Sequence, residues 1–471
     1  MILGLGGGLG GTRSCAMTTL ASVNPATLET LEEFPVHTDA EVDARLALTH
    51  RASRAWARRS LEARCRVLRR CAEILRAQST ALAQRMADEV GKPMREGVAE
   101  AEKSAWVCDY YAEHAASFLA QEEVETNMTR SYVAYRPLGV LLAVMPWNYP
   151  LWQVFRAAAP ALALGNGVVL KHASNVTGCA LAIESIFRDA GLDGAFCVLK
   201  IDASAVSRVI DDDRIAAVTV TGSVGAGRAV AKLAGAALKK CVLELGGADP
   251  YLVLEDADVE HAAKACADGR LVNNGQSCIA AKRMIVHRSI AKPFTEALAS
   301  EFRARTVGDP RKLETQLGPM ARTDLRDELA GLVRASVALG ARVVCGGEIP
   351  QRAGAWYPPT VLEAVDATMA VARQETFGPV APIMTVESED EAVMLANGSR
   401  FGLASAVFSK DVERAETIGR ERLEAGACFI NRPAASDPRL PFGGIKNSGH
   451  GRELGIWGIR EFANTKTIAI D

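Results

Sequence analysis

The sequence has few residues suited to binding metals and lacks the long apolar segments that cross membranes. Seven histidines are scattered along 471 residues, and the eleven cysteines contain no C-x-x-C pair. The sequence therefore has no spacing typical of zinc ligands. Cysteines in this pattern fit best as reduced thiols in a reducing compartment. No run of about 18 apolar residues occurs, and the first residues, MILGLGGGLGGTR, lack the cationic start of a signal peptide. These absences predict a cytoplasmic protein with neither a metal site nor a membrane span.

An excess of charge of one sign is also lacking. Lys and Arg number 54, Asp and Glu number 56, and the basic residues form no block. Proteins that bind nucleic acid concentrate positive charge against the phosphate backbone, so nucleic acid is not an expected partner. The composition, with 49% apolar and 23% charged residues, is typical of a folded globular protein, and the length predicts two or three domains.

Short apolar runs alternate with helical patterns over most of the chain. Apolar residues recur at helical spacing from 39 to 90, where GKP at 91–93 predicts a helix end. From 140 onward the β-rich runs are VLLAVM, GVVLK, FCVLK, AVTVT and CVLEL, separated by helical segments. This alternation predicts a parallel, doubly wound sheet.

The alternation begins again after residue 247, which predicts a second α/β domain. Its strand-like runs are YLVLED, RMIVH, ARVVCGG and ASAVFS. Outside both domains, SYVAYRP and the tail FANTKTIAID are rich in strand-forming residues. These two segments are predicted to form a small exposed β element that pairs with another subunit.

The glycine-rich start contains the pattern G-x-G-x-x-G at Gly6, Gly8 and Gly11. A dinucleotide-binding turn needs a strand before it and an amphipathic helix after it, and the sequence predicts neither there. We interpret residues 1–17 as a disordered extension rather than a cofactor site.

Two polar residues occupy positions where open parallel sheets place their ligand sites. In PWNYP the prolines fix a stiff turn that presents Asn148, whose amide suits an oxyanion hole; a turn asparagine that bonds its own backbone is the alternative. Glu244 ends an apolar strand, so its carboxylate is paired, exposed or raised in pKa. A general base and a structural ion pair both remain open for it.

The segment AVTVTGSVGAGRAVAK predicts a strand, a glycine turn and a helix whose first amides favour a pyrophosphate. Glycine is also common in such turns for geometric reasons, and Thr221 breaks the serine-hydrolase pattern around Ser223. Further along, NNGQSC contains Cys278. By composition alone this is an ordinary buried thiol, and a nucleophilic role requires a base, for which a carboxylate is the better candidate because no histidine lies near in sequence.

Seven motifs in order resemble those of the aldehyde dehydrogenase superfamily: PWNYP, LKHAS, TGSVGAG, LELGGADP, GQSC, ETFGPV and PFGGIKNSGHGRE. The resemblance covers nearly the whole chain after its first twenty or so residues. It implies an α/β fold with a Rossmann-type cofactor domain (18–125 and 147–245), an α/β catalytic domain (246–450) and a small β oligomerisation element (126–146 and 451–471). A homodimer or homotetramer is implied as well.

The resemblance also assigns roles to individual residues. Cys278 matches the nucleophile, Glu244 the general base and Asn148 the side-chain donor to the oxyanion. NAD or NADP is the implied cofactor, and both stay open because Ser174 stands where many NAD-preferring members have Glu. The residues implied to contact the cofactor are Met145, Pro146, Trp147, Lys171, Ser174, Gly222, Ser223, Gly227, Leu245, Glu375 and Phe377.

Within the superfamily, NYPLWQVFRAAAPALALGN and LKHASNV are most similar to the bacterial succinate semialdehyde dehydrogenase group. This implies oxidation of succinate semialdehyde through a cysteine thiohemiacetal and a thioester, which water activated by Glu244 hydrolyses. Arg156 and Ser436 match positions that bind the distal carboxylate in related enzymes. Val272, however, stands where the better-known members often have an arginine.

Other interpretations of the same residues stay open. The substrate is alternatively another small aliphatic aldehyde or a sugar-phosphate aldehyde, for which the sequence neither shows nor excludes a basic pocket. A coenzyme A-acylating relative would release the thioester to a thiol, against which the retained Glu244 argues. A non-catalytic binding homologue is the alternative from a different class.

Overall fold

The computed structural model of the protein describes residues 19–471. The glycine pattern at 6–11 and the predicted extension at 1–17 lie outside these residues. The described part contains fifteen α-helices, α1 to α15: Asp39–Arg58, Leu61–Ala77, Ser79–Val90, Met94–Phe118, Trp152–Leu164, Thr177–Asp189, Val206–Asp211, Val224–Ala236, Val259–Leu271, Arg288–Arg303, Thr323–Ala338, Ala370–Arg373, Glu389–Asn397, Val412–Thr417 and Gly455–Glu461.

The same part contains twenty β-strands. Strands β1 to β10 are Thr19–Val23, Thr30–Pro35, Glu122–Glu123, Arg130–Pro137, Val140–Met145, Gly167–His172, Phe196–Val198, Ile215–Thr221, Lys240–Glu244 and Pro250–Val253. Strands β11 to β20 are Arg283–His287, Arg342–Cys345, Thr360–Glu363, Val380–Val386, Phe401–Gly402, Ala404–Phe408, Ala427–Ile430, Ile445–Lys446, Gly449–His450 and Ala463–Ile470.

Local sequence explains where the first helices begin and end. Thr38 and Glu41 cap α1 reciprocally, each side chain bonding the backbone N–H of the other residue. At the end of α3, Gly91 has a φ of 71°, a left-handed conformation that glycine adopts without steric cost. Pro93 then precedes the first residue of α4, which agrees with the helix end predicted from GKP.

The first large sheet has six strands in the order β19-β9-β8-β5-β6-β7. All neighbours are parallel except β19, which runs antiparallel to β9. Apolar clusters cover the two faces of the sheet: Leu141 and Ala143 belong to one, Leu142 and Val169 to the other. The predicted doubly wound sheet is confirmed, and the carboxyl ends of β5, β8 and β9 meet at one edge.

The second large sheet has seven strands in the order β12-β13-β14-β11-β10-β16-β17, parallel except for the β12–β13 pair. A third sheet, in the order β20-β4-β3, is antiparallel, and its register runs from Ala463 opposite Pro137 to Ile470 opposite Arg130. The predicted α/β fold class is therefore confirmed. Contact of this small sheet with another subunit stays a prediction.

The predicted domain ranges also stay a prediction. Strand β5 falls within 126–146, the range assigned to the oligomerisation element, yet it lies in the six-stranded sheet. The segment that contains β19 likewise returns from the far end of the chain to β9. Among residues 19–471, no helix is both long enough and apolar enough to span a membrane. The predicted cytoplasmic location stays a prediction.

Candidate active site

Two neighbouring cavities contain most of the residues singled out from the sequence. The first, which we call the sheet-edge cavity, has a volume of about 400 Å³ and lies at the carboxyl ends of β5, β8 and β9. Ten predicted site residues line it: Pro146, Trp147, Asn148, Gly222, Ser223, Glu244, Leu245, Cys278, Glu375 and Phe377. The sheet edge therefore brings together the three predicted catalytic residues and seven of the predicted cofactor contacts.

The second cavity, which we call the helix cavity, has a volume of about 220 Å³ and is bordered by α4 and α5. Its lining includes Arg156 and Ser436, the two residues predicted to bind the substrate. Cys278 and Gln153 line both cavities. The Cys278 side chain thus lies where the two spaces meet.

A tight turn between α9 and Cys278 places the thiol at this junction. Asn273 and Asn274 have φ values of 53° and 57°, a left-handed conformation that asparagine tolerates better than most residues. The Asn274 side chain donates to the carbonyls of Gly91 and Pro319 over 2.8 and 2.9 Å and accepts from the backbone N–H of Gly318 over 2.8 Å. A buried amide therefore ties the turn to neighbouring segments.

The Asn148 amide has a fixed orientation. Its Nδ2 donates to the carbonyl of Gln276 over 3.0 Å, and its Oδ1 accepts from Gln153 Nε2 over 3.2 Å. Asn273 Nδ2 in turn donates to the Asn148 carbonyl over 2.7 Å. Because an amide nitrogen carries two N–H groups, one remains for an oxygen bound beside Cys278. This arrangement suits the predicted oxyanion donor.

Glu244 is buried and unpartnered. It is 3% exposed, and neither carboxyl oxygen has a hydrogen-bond partner among residues 19–471. Burial raises its pKa well above the usual range and the negative charge of Glu453 adds to this, while Arg156 and Arg452 oppose it. A carboxyl group that binds a proton this readily, on the same cavity as Cys278, is suited to general-base chemistry.

Burial also raises the pKa of the Cys278 thiol, to about 11. Lys282 and Arg156 lower it, but less than burial raises it, and Glu244 and Glu375 raise it further. The thiol is therefore protonated at neutral pH, and formation of the reactive thiolate requires a proton acceptor. Glu244, whose unpartnered carboxyl group lines the same cavity, is the candidate acceptor.

Arg156 lies in the helix cavity as predicted, but its charge is already compensated. It forms a buried ion pair with Glu453, and its Nη2 donates to Thr221 Oγ1 over 3.2 Å. The guanidinium carbon of Arg156 lies 4.7 Å from the centre of the Phe442 ring. The role predicted for Arg156 in binding a substrate carboxylate stays a prediction, and the structure adds a buried carboxylate that competes for the same cation.

The glycine turn borders open space at the start of α8. Ser223 caps this helix by accepting from the N–H of Ala226 over 3.2 Å. A Cβ atom at Gly222 or Gly225 would have its closest neighbour at 3.8 or 3.9 Å, so both glycines face the cavity rather than packed atoms. Backbone amides at a helix start with room for a ligand fit the pyrophosphate of a dinucleotide.

The far side of the sheet-edge cavity presents a carboxylate that could hold ribose hydroxyls. Glu375 Oε1 accepts from the N–H of Gly247 over 3.0 Å and lies 3.3 Å from Lys282 Nζ. Phe377 packs edge-on against Trp147 with ring centroids 5.6 Å apart. Together with the glycine turn, these residues fit NAD or NADP.

Four predicted cofactor contacts do not line the sheet-edge cavity. Met145 is buried at the end of β5, where its carbonyl accepts from the N–H of Ala173 over 2.9 Å. Gly227 packs against Leu245, which a Cβ atom would approach to 2.5 Å. Lys171 and Ser174 lie at and just after the end of β6, the neighbouring strand. The cofactor roles of these four residues stay predictions.

Several residues of the site were not predicted from the sequence. Glu453 follows the last recognised glycines in GHGRE, and only its contact with Arg156 reveals its importance. Lys103 lies inside α4 without any motif around it, and Gln153 lies on α5 within NYPLWQVFRAAAPALALGN, a segment used above only for the family resemblance. The available signal for Lys103 is its spacing from Glu96 and Glu100, since three charges at helical spacing on a partly buried helix need partners.

Comparison with known proteins agrees with the resemblance seen in the sequence. The model of the aldehyde dehydrogenase family matches residues 12–468. A succinate semialdehyde dehydrogenase [NAD(P)+] from Escherichia coli is 48% identical, the alignment covering 96% of this chain and 98% of that protein. A probable succinate-semialdehyde dehydrogenase [NADP(+)] from Synechocystis is 47% identical, with 96% and 99% covered. A crystal structure of succinic semialdehyde dehydrogenase from Streptococcus pyogenes with NADP+ has a TM-score of 0.93 and 37% identity, covering 96% and 99%.

Proposed function

Because the chain belongs to the aldehyde dehydrogenase family, we propose that it oxidises succinate semialdehyde to succinate, with NAD or NADP as the hydride acceptor. The observation that carries the proposal is the position of Cys278, which lines both cavities. An aldehyde in the helix cavity reaches the thiol from one side. The sheet-edge cavity, which the thiol also borders, would hold the cofactor that takes up the hydride.

Two kinds of observation support succinate semialdehyde as the substrate. The relatives that align over 96% of the chain, at 47% and 48% identity, are named for succinate semialdehyde. The helix cavity also contains two cationic side chains, Lys103 and Arg156, beside the hydroxyl of Ser436. A cation and a hydroxyl at the end of a cavity suit an aldehyde that has a carboxylate at its other end.

The first chemical step forms a bond between the Cys278 sulfur and the aldehyde carbon. The thiol proton leaves through Glu244 or cavity water, and the former carbonyl oxygen becomes negatively charged. The free N–H of Asn148 then stabilises this oxygen, as in other oxyanion holes, where one such donor contributes about 10²–10³ in rate. The Asn148 hydrogen bonds to Gln276 and Gln153 hold the donor in place before the charge develops.

Oxidation and hydrolysis complete the cycle. When bound, NAD or NADP accepts the hydride from the carbon attached to sulfur. The carbon–oxygen double bond re-forms and leaves a thioester on Cys278. Glu244 takes a proton from water, the hydroxide adds to the thioester carbon, and the carbon–sulfur bond breaks. Succinate leaves the site. The Cys278 thiolate regains the proton that Glu244 took from water and becomes a thiol again.

The burial of Glu244 favours water over another thiol as the acceptor of the acyl group. Its carboxyl lies at the end of β9 with both oxygens unpartnered among the described residues, as a base that activates a small molecule requires. A coenzyme A thiol depends less on such a base, because a thiol is more acidic and more nucleophilic than water. We therefore propose hydrolysis rather than acyl transfer.

We also propose that the six-stranded sheet is the core of the cofactor domain, predicted at 18–125 and 147–245. The seven-stranded sheet is then the core of the catalytic domain at 246–450. Strands β4 and β20 lie within the ranges 126–146 and 451–471, and β3 precedes them at Glu122–Glu123; we propose that the sheet they form joins subunits into a homodimer or homotetramer. Light scattering on the purified protein tests the subunit count.

A panel of aldehydes tests the proposed function. Succinate semialdehyde, butanal and glyceraldehyde 3-phosphate are each compared with NAD and NADP through the absorbance at 340 nm. We expect the highest kcat/KM with succinate semialdehyde. A higher value for either other aldehyde would contradict the substrate assignment, and no reduced cofactor with any of them would contradict the activity.

A further inference from the structure

The charged residues of the helix cavity differ in whether they have partners. Four titratable charged side chains line it: Glu96, Glu100, Lys103 and Arg156. The first three lie on α4 at positions i, i+4 and i+7, which places them along one face of the helix. The cavity therefore contains two acidic and two basic groups, and which of them binds a substrate depends on their pairing.

Three of the four charged side chains already form hydrogen bonds or ion pairs within the protein. Glu100 forms a buried ion pair with Lys92, and its Oε1 accepts from the backbone N–H groups of Leu151 and Trp152 over 2.8 and 3.0 Å. Glu96 accepts from the N–H of Asn273 over 2.6 Å. Arg156 forms the buried ion pair with Glu453 described above. None of these three offers an uncompensated positive charge.

Lys103 is the exception. Among residues 19–471, no carboxylate oxygen lies within 4.0 Å of its Nζ. The Nζ donates to Ser436 Oγ over 2.8 Å and lies 4.5 Å from the centre of the Trp152 ring. The carboxylate of Asp437 is bound by Arg439 over 2.6 and 2.8 Å and forms no ion pair with Lys103.

The contact between Lys103 and Ser436 leaves donors available for an anion. An ammonium group has three N–H bonds, of which Ser436 accepts one. Because the Ser436 oxygen accepts from Lys103, its own O–H is available to donate. Two adjacent donors, one of them charged, match the two oxygens of a carboxylate.

We propose that Lys103, together with the Ser436 hydroxyl, binds the distal carboxylate of the substrate and thereby determines specificity for it. This inference rests on the proposed function. Arg156, whose charge Glu453 compensates, lines the same cavity. Helix α4 and the segment after β17 meet at the Lys103–Ser436 contact.

Substitution of Lys103 tests the inference through a ratio of two substrates. The K103M variant keeps the length of the side chain and removes its charge, and K103R restores a charge. For each protein, kcat/KM is measured with succinate semialdehyde and with butanal, which has the same carbon number and no carboxylate. K292M, at an exposed lysine on α10, is the matched control, and circular dichroism verifies folding.

We expect K103M to lower the succinate semialdehyde to butanal ratio by about 10- to 150-fold, the range for a charged hydrogen bond. K103R should recover most of the ratio, and K292M should match wild type. An unchanged ratio in K103M, or equal loss with both aldehydes, would overturn the inference. If K103M does not fold, K103Q replaces it in the same comparison. A wild-type protein that does not prefer succinate semialdehyde would instead overturn the proposed function, and the inference with it.

Discussion

Arg156 and Glu453 form an ion pair in which the side chains are 2% and 4% exposed. Glu244 is close enough to feel both charges, since Glu453 raises the pKa of its carboxyl and Arg156 lowers it. Burial is the main reason why the pKa of Glu244 is raised, and the ion pair adds two smaller effects of opposite sign. The predicted general base therefore lies beside a pair of charges whose loss would change how readily it binds a proton.

The first expected outcome concerns this ion pair. Replacing Arg156 with Met should destabilise the protein by about 3–5 kcal/mol, because Glu453 is left buried without its cation. Urea denaturation measures the change, and R54M, at an exposed arginine of α1, is the control. Adding E453Q to R156M should recover part of the loss. Equal stability of R156M and R54M would show that the pair does not hold these elements together.

The second concerns the nucleophile. Replacing Cys278 with Ala should abolish oxidation of every aldehyde, because Cys278 is the only thiol among residues 19–471 that lines either cavity. Cofactor binding, followed by fluorescence titration, should change little, since the glycine turn and Glu375 remain. C266A, at a buried cysteine of α9, is the control for loss of a thiol. Residual turnover comparable with wild type would exclude Cys278 as the nucleophile.

The third concerns the base. Replacing Glu244 with Gln should slow thioester hydrolysis more than hydride transfer, so that rapid mixing shows a preserved burst followed by a small steady-state rate. In the wild type, the raised pKa of Glu244 means that its basic form is present above that pKa. Hydrolysis should therefore decline as the pH falls through it. E260Q, on the exposed surface of α9, should behave as wild type, and equal loss of burst and steady state in E244Q would argue for a structural role.

The fourth is a pH dependence of substrate binding. Burial and Arg156 lower the pKa of Lys103 to about 8, against the opposing effects of Asp437 and Glu100. Its positive charge is present below this pKa and is lost as the pH rises through it. The KM for succinate semialdehyde, relative to that for butanal, should therefore rise above pH 8.

The control for this pH dependence is K103R, because an arginine stays charged over the measured range. Glu96, whose pKa burial raises to about 7, also faces the cavity and is unchanged in K103R. The difference between the wild type and K103R then isolates Lys103. Identical pH profiles of the KM ratio in the two proteins would contradict the assignment.

The fifth concerns the turn before Cys278. Replacing Asn274 with Ala removes three hydrogen bonds made by a buried amide and puts alanine at a φ of 57°. We expect a loss of about 3 kcal/mol in unfolding free energy together with reduced kcat. Q351A, at an exposed amide outside the helices and strands, is the control. Unchanged kcat would show that the turn does not position the thiol.

The strands and the type of sheet could be predicted because the signals are local. The parallel strands are short apolar runs, and VLLAVM at 140–145 coincides with β5. Glycine and proline mark the boundaries of helices, as Gly91 does after α3 and Pro93 before α4. Likewise, ten of the sixteen predicted site residues line one cavity, because residues that end parallel strands share an edge.

The pairing of charged side chains in the site could not be predicted, because it depends on contacts between residues far apart in the sequence. No local pattern shows that Arg156 on α5 meets Glu453 beside α15, or that Lys103 on α4 meets Ser436. The position of Arg156 in the sequence suits a residue that binds the substrate carboxylate. Only the fold shows that the carboxylate of Glu453 already pairs with it. Pairing of charges is a tertiary property, so the sequence could identify the cations but could not tell which one was unpaired.

Strand β9, which ends at Glu244, is hydrogen-bonded on one side to β8 and on the other to Gly449 and His450. The next residue, Leu245, donates its N–H to the carbonyl of Ser448 over 3.0 Å. During synthesis, residues 448–453 emerge from the ribosome long after Glu244 and Cys278. The surroundings of the reacting groups therefore stay incomplete until residues 448–453 have been synthesised, which delays activity until that point.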